Sequence, residues 1–322
     1  MLLVLLMCFY SCSRQEDIYT IGIFQVNDAP TLNEVRKGFI QALKDNGLID
    51  ENNIQLIIRN GKGDISKVHR IAREFVQRKV DMIAALSTPC LQAALISNKK
   101  IPIVFSSIAN PYILGAGKSS EDHLDFVTGV SSRGPIEQAL LFIKRVAPDV
   151  KRLGTLWTPS EKNSEYYLEI AKRNAAELGM EIVPVAVKNK REVFLSAQIL
   201  INKKIDAIYQ ISDNTINNSF EIVGKVAEEN GIPLFGGFVY STSEGACAAI
   251  GWDFFEMGYK TGLIAVKVKN GKDIKDIPIQ YMKKIKLHLN LTAAEKQGIQ
   301  FSEEILEEAD KIINHYNHTE NH

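Results

Sequence analysis

The sequence predicts an α/β protein built from two doubly wound parallel-sheet domains joined by a multi-strand hinge. Three observations lead there. The chain has 322 residues, enough for two domains of about 150 residues each. Short β-branched runs alternate with amphipathic helical stretches, the pattern of a parallel sheet covered on both faces. The pattern also occurs twice. Val80-Asp81-Met82-Ile83 leading to Ser87-Thr88-Pro89 is answered by Ile205-Asp206-Ala207-Ile208 leading to Ser212-Asp213-Asn214. Ile101–Phe105 is answered by Ile232–Phe235, Ile21–Phe24 by Leu153–Leu156, and the helix-ending Gly47 by Gly179. The offsets run from 125 to 132 residues, in one order in both halves. That is too long for a solenoid repeat of roughly 20–50 residues. Two domains of one topology face each other across a cleft, a usual place for a small ligand.

In the first half, Tyr19 to Val26 is apolar and β-branched and is expected to be a buried strand. Thr31-Leu32-Asn33-Glu34 has capping-box spacing. Leu32, Val35, Phe39, Ala42 and Leu43 then recur at helical spacing, and Asn46-Gly47 ends that helix. Ile54 to Ile58 is the second strand. Asp64 caps a helix carrying Val68, Ile71, Ala72, Phe75 and Val76. Val80 to Leu86 and Ile103 to Phe105 are the third and fourth strands. The second half repeats the scheme. Strands are expected at Leu153 to Trp157, Ile182 to Val187, Ile205 to Ile211, Leu234 to Phe235 and Ala246 to Ile250. Helices are expected over Asn163 to Leu178, about Asn214 to Asn230 and about Phe254 to Val268. Ile285 to Leu289 is a late strand. Crossovers fall near Val130–Gly134, Ile250–Asp253 and Leu287–Leu291, and several crossing strands make a hinge. The first lobe is then 19–131 with about 254–287, and the second is 132–253 with about 288–315. Residues 316–322 form a polar tail.

Lys+Arg and Asp+Glu both number 38, so net charge gives no sign of a nucleic-acid partner. The N-terminus differs from the rest. Met1 to Phe9 is almost wholly apolar and the chain turns polar at Arg14-Gln15-Glu16-Asp17. The run is shorter than the about 20 residues a bilayer span needs, and has the length of a secretory h-region. Ser11-Cys12 resembles a bacterial lipobox, which makes Cys12 the expected lipidated residue and 1–18 a leader and linker. The mature part keeps Cys90 and Cys247, both in apolar or small-residue surroundings and expected to be buried free thiols. Three of the six histidines, His315, His318 and His322, crowd the polar tail, which is expected to be solvated. There is no Walker loop, Gly-x-Gly-x-x-Gly, HExxH or Gly-x-Ser-x-Gly pattern, and no cysteine stands beside a plausible base. No enzyme, cofactor or metal is expected.

In open parallel sheets, ligands bind beyond the carboxyl ends of the strands. After the third strand comes Ser87-Thr88-Pro89, with Thr88 as N-cap and Pro89 as first helical residue. That helix start offers free N–H groups to an anion. After the fourth strand comes a polar loop containing Asn110. After the first strand of the second half, Asn163 and Ser164 stand at another helix start. Asp213-Asn214 follows the matching later strand, where a carboxylate can accept from an ammonium. Asp213 is equally a standard N-cap, and Asp253, on a crossover, either faces the cleft or caps the helix from Phe254. Two anion-binding helix ends with acidic groups opposite suit a zwitterion. Trp252, Phe238 and Tyr240 are candidates to stack an aromatic group, although each is also a good core residue.

These segments resemble the extracytoplasmic substrate-binding proteins of ABC transporters related to tryptophan/tyrosine transport. The resemblance rests on Ile21-Gly22-Ile23 with Arg36-Lys37-Gly38-Phe39, Val80–Ile83 with Thr88-Pro89, and Pro102–Phe105 with Asn110-Pro111. It continues through Thr128-Gly129-Val130, Asn163-Ser164, Asp206–Tyr209 with Asp213-Asn214, and Gly251 through Gly258. It covers nearly all of the mature chain in order. The family often has Asp where Asn110 stands, Ala where Cys90 stands, and Tyr where Phe254 stands. The resemblance implies a type I periplasmic-binding-protein-like fold. It also implies a monomeric, membrane-anchored lipoprotein that closes on a small solute and delivers it to an ABC permease and its ATPase. An aromatic amino acid is the expected ligand, with Thr88-Pro89, Asn163-Ser164 and Asp213-Asn214 around it. Other readings are a ligand-sensing protein of the same fold for a nucleoside or sugar, and an enzyme on a two-domain frame. A repressor would need a helix-turn-helix ahead of the first strand, where about eighteen residues stand.

Overall fold

The structure, a computed structural model, describes residues 18–314. The leader with Cys12 and the histidines of the tail lie outside the described residues. The first lobe opens with β1 (Tyr19–Gln25), α1 (Pro30–Asp45), β2 (Ile54–Asn60), α2 (Ile65–Gln77), β3 (Met82–Leu86), α3 (Thr88–Ser97), β4 (Ile103–Ile108) and β5 (Val127–Ser131). The second lobe follows with α4 (Ile136–Val146), β6 (Arg152–Trp157), α5 (Lys162–Glu177), β7 (Glu181–Ala186), α6 (Val193–Asn202), β8 (Ala207–Gln210), α7 (Asn214–Asn217), α8 (Phe220–Glu229), β9 (Leu234–Gly236) and β10 (Ala248–Gly251). The chain then returns to the first lobe for α9 (Phe254–Lys269) and β11 (Gln280–Tyr281). It ends in the second with β12 (Lys286–Asn290), α10 (Leu291–Lys296), α11 (Glu303–Glu308) and β13 (Lys311–Ile313).

The first sheet has the order β11-β5-β4-β3-β1-β2 and the second β13-β12-β10-β9-β8-β6-β7. All pairings are parallel except β10 with β12. The strand order steps both ways from β1 and from β6, as a doubly wound sheet requires. Both faces of the first sheet are covered. Ile21, Ile23, Met82, Leu86 and Val104 pack with Val35, Phe39 and Met257 of α1 and α9. Phe24, Ile83, Ala85 and Phe105 pack on the other side with Phe75 and Leu91 of α2 and α3. Burying each large side chain contributes roughly 1.5–3 kcal/mol. The helices α1 and α9 are pressed together through glycines. A Cβ on Gly38 would lie 2.0 Å from Phe255 O, and one on Gly258 2.0 Å from Val35 O. This contact fixes α9, and with it the crossover Gly251–Asp253, to the first lobe.

Three expectations need correction. Thr31 does not cap α1. The helix begins at Pro30, with Ala29 as N-cap and no side-chain cap bond, because proline at the first position has helical φ already set and no N–H to satisfy. Likewise α3 begins at Thr88, with Ser87 as its N-cap and Pro89 one place further in. The helix expected from Asn214 to Asn230 is broken into α7 and α8, with Ser219 at φ −151° between them. Asp64 caps α2 through Lys67 N at 3.1 Å, and Cys90 and Cys247 are buried and free.

Candidate ligand-binding cleft

The two lobes meet along the carboxyl ends of their strands. Two narrow, adjoining compartments lie there, each leaving little more than the space of a water molecule. The first is polar. Thr31 and Ser107 line it from the first lobe, and Asn163, Ser212, Asn214 and Asn217 from the second. The other is aromatic, walled by Tyr167, Tyr209, Trp252 and Phe254. Ser132, Tyr167, Ser212 and Phe254 belong to both, and neither lining contains a charged side chain. Tyr209 and Ser107 stand in the last residues of β8 and β4, and the other residues named follow the carboxyl ends of strands, directly or within the first turns of the next helix.

The lobes are closed on each other. Asn27 Nδ2 donates to Asn214 O at 2.7 Å across the cleft, and α3 approaches α5. The crossover at Ser132-Arg133 is held by two buried aromatics. Tyr167 OH donates to Ser132 O at 2.7 Å, and Trp252 Nε1 to Arg133 O at 3.0 Å. Burial pushes the phenols of Tyr167 and Tyr209 up, so both stay neutral. Ser107 sits at φ +61°, where the β4–β5 register shifts. A serine held in this region carries strain of order 1–3 kcal/mol, and such strain clusters at ligand sites.

The first lobe leaves polar groups unmatched at its edge. Register places Gln25 beside Leu86 and Leu86 beside Ser106, so Ser87 and Thr88 emerge between β1 and β4. Both are buried, and neither hydroxyl has a hydrogen-bond partner beyond a weak interaction of Ser87 with the Cys90 thiol. Nor does any side chain cap α3. An unsatisfied buried hydroxyl costs about 1–3 kcal/mol.

The second lobe does the reverse. Asp213 is fully buried and accepts from Thr158 N at 2.8 Å, Thr158 Oγ1 at 3.1 Å and Ile216 N at 2.9 Å. Glu161, also buried, accepts from Asn214 N, Asn214 Nδ2, Thr215 N and Thr215 Oγ1 at 2.6–3.0 Å. Burial, then the nearby Glu161 charge, pushes the Asp213 carboxyl up to about 7. Ser164 Oγ accepts from Thr158 N at 2.9 Å, and Asn163 Oδ1 accepts from Asn214 Nδ2 at 3.2 Å.

The structure therefore gathers Asn163 and Asn214 into the polar compartment and sets Ser87, Thr88 and Pro89 at the first-lobe edge. Ser164 and Asp213 sit behind that wall and brace it. Of the expected site residues only Asn163 and Asn214 line a compartment; Ser87, Thr88, Pro89, Asn110, Ser164, Asp213 and Asp253 line neither. Asn110 Oδ1 accepts from Tyr112 N at 3.0 Å as a local turn, and Asp253 Oδ1 accepts from Glu256 N at 2.9 Å as the cap of α9. Of the candidate stacking residues, Trp252 lines the aromatic compartment. Phe238 is instead packed edge-on against Phe220 at 5.1 Å in the core. The sequence reading missed Thr31, Ser107, Ser132, Tyr167 and Phe254 as cleft residues, although all lie at or beyond strand ends. It also missed Glu161, whose partners lie 53 and 54 residues away.

A sequence model of the family described as "ABC transporter substrate binding protein" matches residues 20–313. The chain belongs to this family of substrate-binding proteins. The binding protein is 36% identical, over 84% of its own length and 78% of the relative's, to a tyrosine-binding protein of Clostridioides difficile. A Streptococcus pneumoniae domain solved in complex with L-Trp matches with TM-score 0.88 and 28% identity, covering 92% of this chain and all of that one. A ligand-free, open substrate-binding protein of Clostridium difficile matches with TM-score 0.69 and 31% identity over the same shares. More distant neighbours place the fold among the type I periplasmic binding proteins. The family and these neighbours are binding proteins rather than enzymes, and bear out the expectation from sequence. No helix among the described residues is long and apolar enough to cross a membrane.

Proposed function

We propose that the protein is the extracytoplasmic solute-binding lipoprotein of an ABC importer, lipidated at Cys12, and that it binds an aromatic amino acid between its lobes as a monomer. The observation that carries the ligand class is the junction of a polar, uncharged compartment with an aromatic one at Tyr167 and Phe254. An aromatic amino acid has that division within one small molecule. Its ring suits Tyr167, Trp252 and Phe254, with aromatic pairs worth about 0.5–1.5 kcal/mol beyond their area. Its carboxylate suits the start of α3, which no side chain caps, with the unpartnered Thr88 hydroxyl and the Ser87 hydroxyl beside it. Its ammonium suits the amide oxygens of Asn163 and Asn217. Asp213 then acts through position, because its oxygens already hold Thr158 and α7.

The closed arrangement supports the same reading. The L-Trp complex matches this chain better than an open, ligand-free relative of slightly higher identity, an ordering that lobe closure explains and sequence distance does not. The compartments are too narrow to admit an aromatic amino acid from solution, so the ligand enters an open form and its contacts with both lobes draw the equilibrium closed. Turning at the crossovers near 131–134, 251–254 and 282–286 would provide that motion. Calorimetric titration with the twenty amino acids, and with nucleosides and sugars, tests the ligand. Binding of tyrosine, tryptophan or phenylalanine is expected. A response to a nucleoside or sugar alone would sink the assignment.

A further inference from the structure

The aromatic compartment has a near side and a far side. Ser132, Tyr167, Ser212 and Phe254 also line the polar compartment and so stand at the junction. The far side is made by Gly134, Pro135, Ile136, Tyr209, Gly237 and Trp252. Of these, only Trp252 and Tyr209 carry a polar side-chain atom. Trp252 Nε1, which can only donate, is spent on Arg133 O at 3.0 Å. The phenol oxygen of Tyr209 has no hydrogen-bond partner among the described residues. The other phenol of the wall, Tyr167, is spent on Ser132 O at 2.7 Å.

Packing does not ask for the Tyr209 hydroxyl. The residue lies in β8 on the same strand face as Ala207, is 2% exposed, and belongs to the core that Leu168 and Ala171 of α5 cover. A phenylalanine would fill that core without a polar atom to answer. The internal repeat makes the same point. Asp206 answers to Asp81, so Tyr209 answers to Ala84 of β3, and the shared framework needs no large polar side chain here. A buried tyrosine hydroxyl normally finds a partner, and one left without calls for a reason. Its place on the compartment wall supplies one: the partner comes with the ligand.

We propose that Tyr209 is a specificity-determining residue of the cleft, its hydroxyl exchanging a hydrogen bond with a phenol at the far end of the ligand, so that the protein selects tyrosine over phenylalanine. The inference rests on the aromatic-amino-acid reading above and deepens it. With the ligand's amino and carboxyl groups toward the polar compartment, its ring crosses the junction and its para position reaches the far side. There a phenol can donate to Tyr209 or accept from it. Phenylalanine leaves the hydroxyl unanswered in a dry wall, and a site built to hydrogen-bond one ligand group discriminates strongly against the analogue that lacks it. An indole N–H can donate to the same oxygen. Phenylalanine, which differs from tyrosine by the hydroxyl alone, is therefore the comparison that decides.

The test is a cycle in which the hydroxyl is removed from the protein, from the ligand, or from both. Calorimetry gives the affinities of the wild type, Y209F and Y167F for tyrosine and phenylalanine. The wild type is expected to bind tyrosine about tenfold or more tighter than phenylalanine. Y209F should bind tyrosine about tenfold more weakly while its phenylalanine affinity holds or gains, which brings the two within about twofold of each other. Y167F, whose lost hydroxyl held the crossover, should weaken both ligands by one factor and keep their ratio. A wild-type ratio retained in Y209F overturns the proposal. So does a wild type that binds the two ligands alike, or a ratio that collapses in Y167F instead. para-Fluorophenylalanine supplies a reading on the wild type that needs no variant to fold. It fills the space of the phenol without donating and is expected to bind like phenylalanine; binding like tyrosine assigns the preference to space and overturns the proposal. A wild type that binds tryptophan alone overturns the choice of tyrosine and leaves the ligand class standing. A wild type that binds none of the three removes the ligand class, and the inference with it.

Discussion

The β3 edge of the first lobe and the β8 edge of the second are equivalent positions in the internal repeat, yet they manage their polar groups in opposite ways. At the first, Ser87 and Thr88 are buried, the Thr88 hydroxyl without a hydrogen-bond partner and the Ser87 hydroxyl with only the Cys90 thiol beside it. At the second, Asp213 and Glu161 are buried and engaged on every side by Thr158, Asn214, Thr215 and Ile216. One edge is held ready at a cost in stability. The other is a finished brace that positions Asn163 and Asn214. The difference teaches that the more conspicuous charge, Asp213, need not be the group that meets a ligand. Polar groups that the fold leaves unanswered are better pointers to it.

The comparison breaks most visibly at Glu161. Glu161→Ala would leave the half-buried N–H groups of Asn214 and Thr215 without their protein acceptor, each costing up to about 1–3 kcal/mol. The expected result is a loss of about 3 kcal/mol or more, measured as a shift of the urea midpoint at constant m-value. A variant as stable as wild type would mean that water can replace the carboxylate, and that the second edge is no brace.

Thr88→Val tests the other edge and predicts two readouts of opposite sign. Tyrosine affinity should fall about 10- to 100-fold, the range for losing a hydrogen bond to a charged group of about 1.5–3 kcal/mol. The Tm of the ligand-free protein should hold or rise, since a hydroxyl without a partner has been replaced by a methyl of the same shape. A drop in Tm with unchanged affinity would show that Thr88 serves the fold alone.

The third test is pH. The Asp213 carboxyl is raised from 3.8 to about 7 by burial and then by Glu161. A folded-state value above the unfolded one means that the folded protein holds this proton more tightly. The contribution to stability is fully present below about pH 4 and is lost as pH rises through about 7, with a slope of up to about 1.4 kcal/mol per unit. Tm of the wild type should therefore carry a falling component between pH 5 and 8, and Asp213→Asn should remove it. An identical pH profile in the two proteins would place the titration elsewhere.

Much of this was legible in the chain. The alternation of strands and helices, the repeat and the strand-end rule located the cleft to within a few residues, because backbone pattern and topology are local signals. They single out Asn163 and Asn214, which line the polar compartment, and Ser87 and Thr88, which stand at the first-lobe edge outside both linings. The fate of each side chain was less legible, because it depends on partners far away in sequence. Nothing near Glu161 in sequence points to its partner Asn214, 53 residues away. Asp253 and Asn110 carry sequence signals that serve local structure as well as a ligand, and the structure gives the first a helix cap and the second a turn. Tyr167, ten residues beyond Trp157, reads in sequence as one more apolar position of a helix. Its place at the junction of the compartments goes with its bond to Ser132 O, 35 residues earlier in the chain.

The smallest expected effect concerns the contact that joins the two edges. Asn27 Nδ2 donates to Asn214 O across the cleft, while its Oδ1 accepts from Ala29 N at 3.0 Å within the first lobe. Asn27→Asp keeps the acceptor for Ala29 and removes the donor, so it separates latch from local turn. Losing one such bond is worth about 1 kcal/mol, and apparent affinity falls in proportion to the fraction of protein that can close. The variant should bind tyrosine about fivefold more weakly, with a larger radius of gyration in small-angle scattering of the ligand-free protein and the same radius once saturated. Weaker binding without a change in the ligand-free radius would assign Asn27 to the ligand itself. Neither change would mean that closure is held by the ligand and the hinge alone, and that the two edges communicate through whatever lies between them.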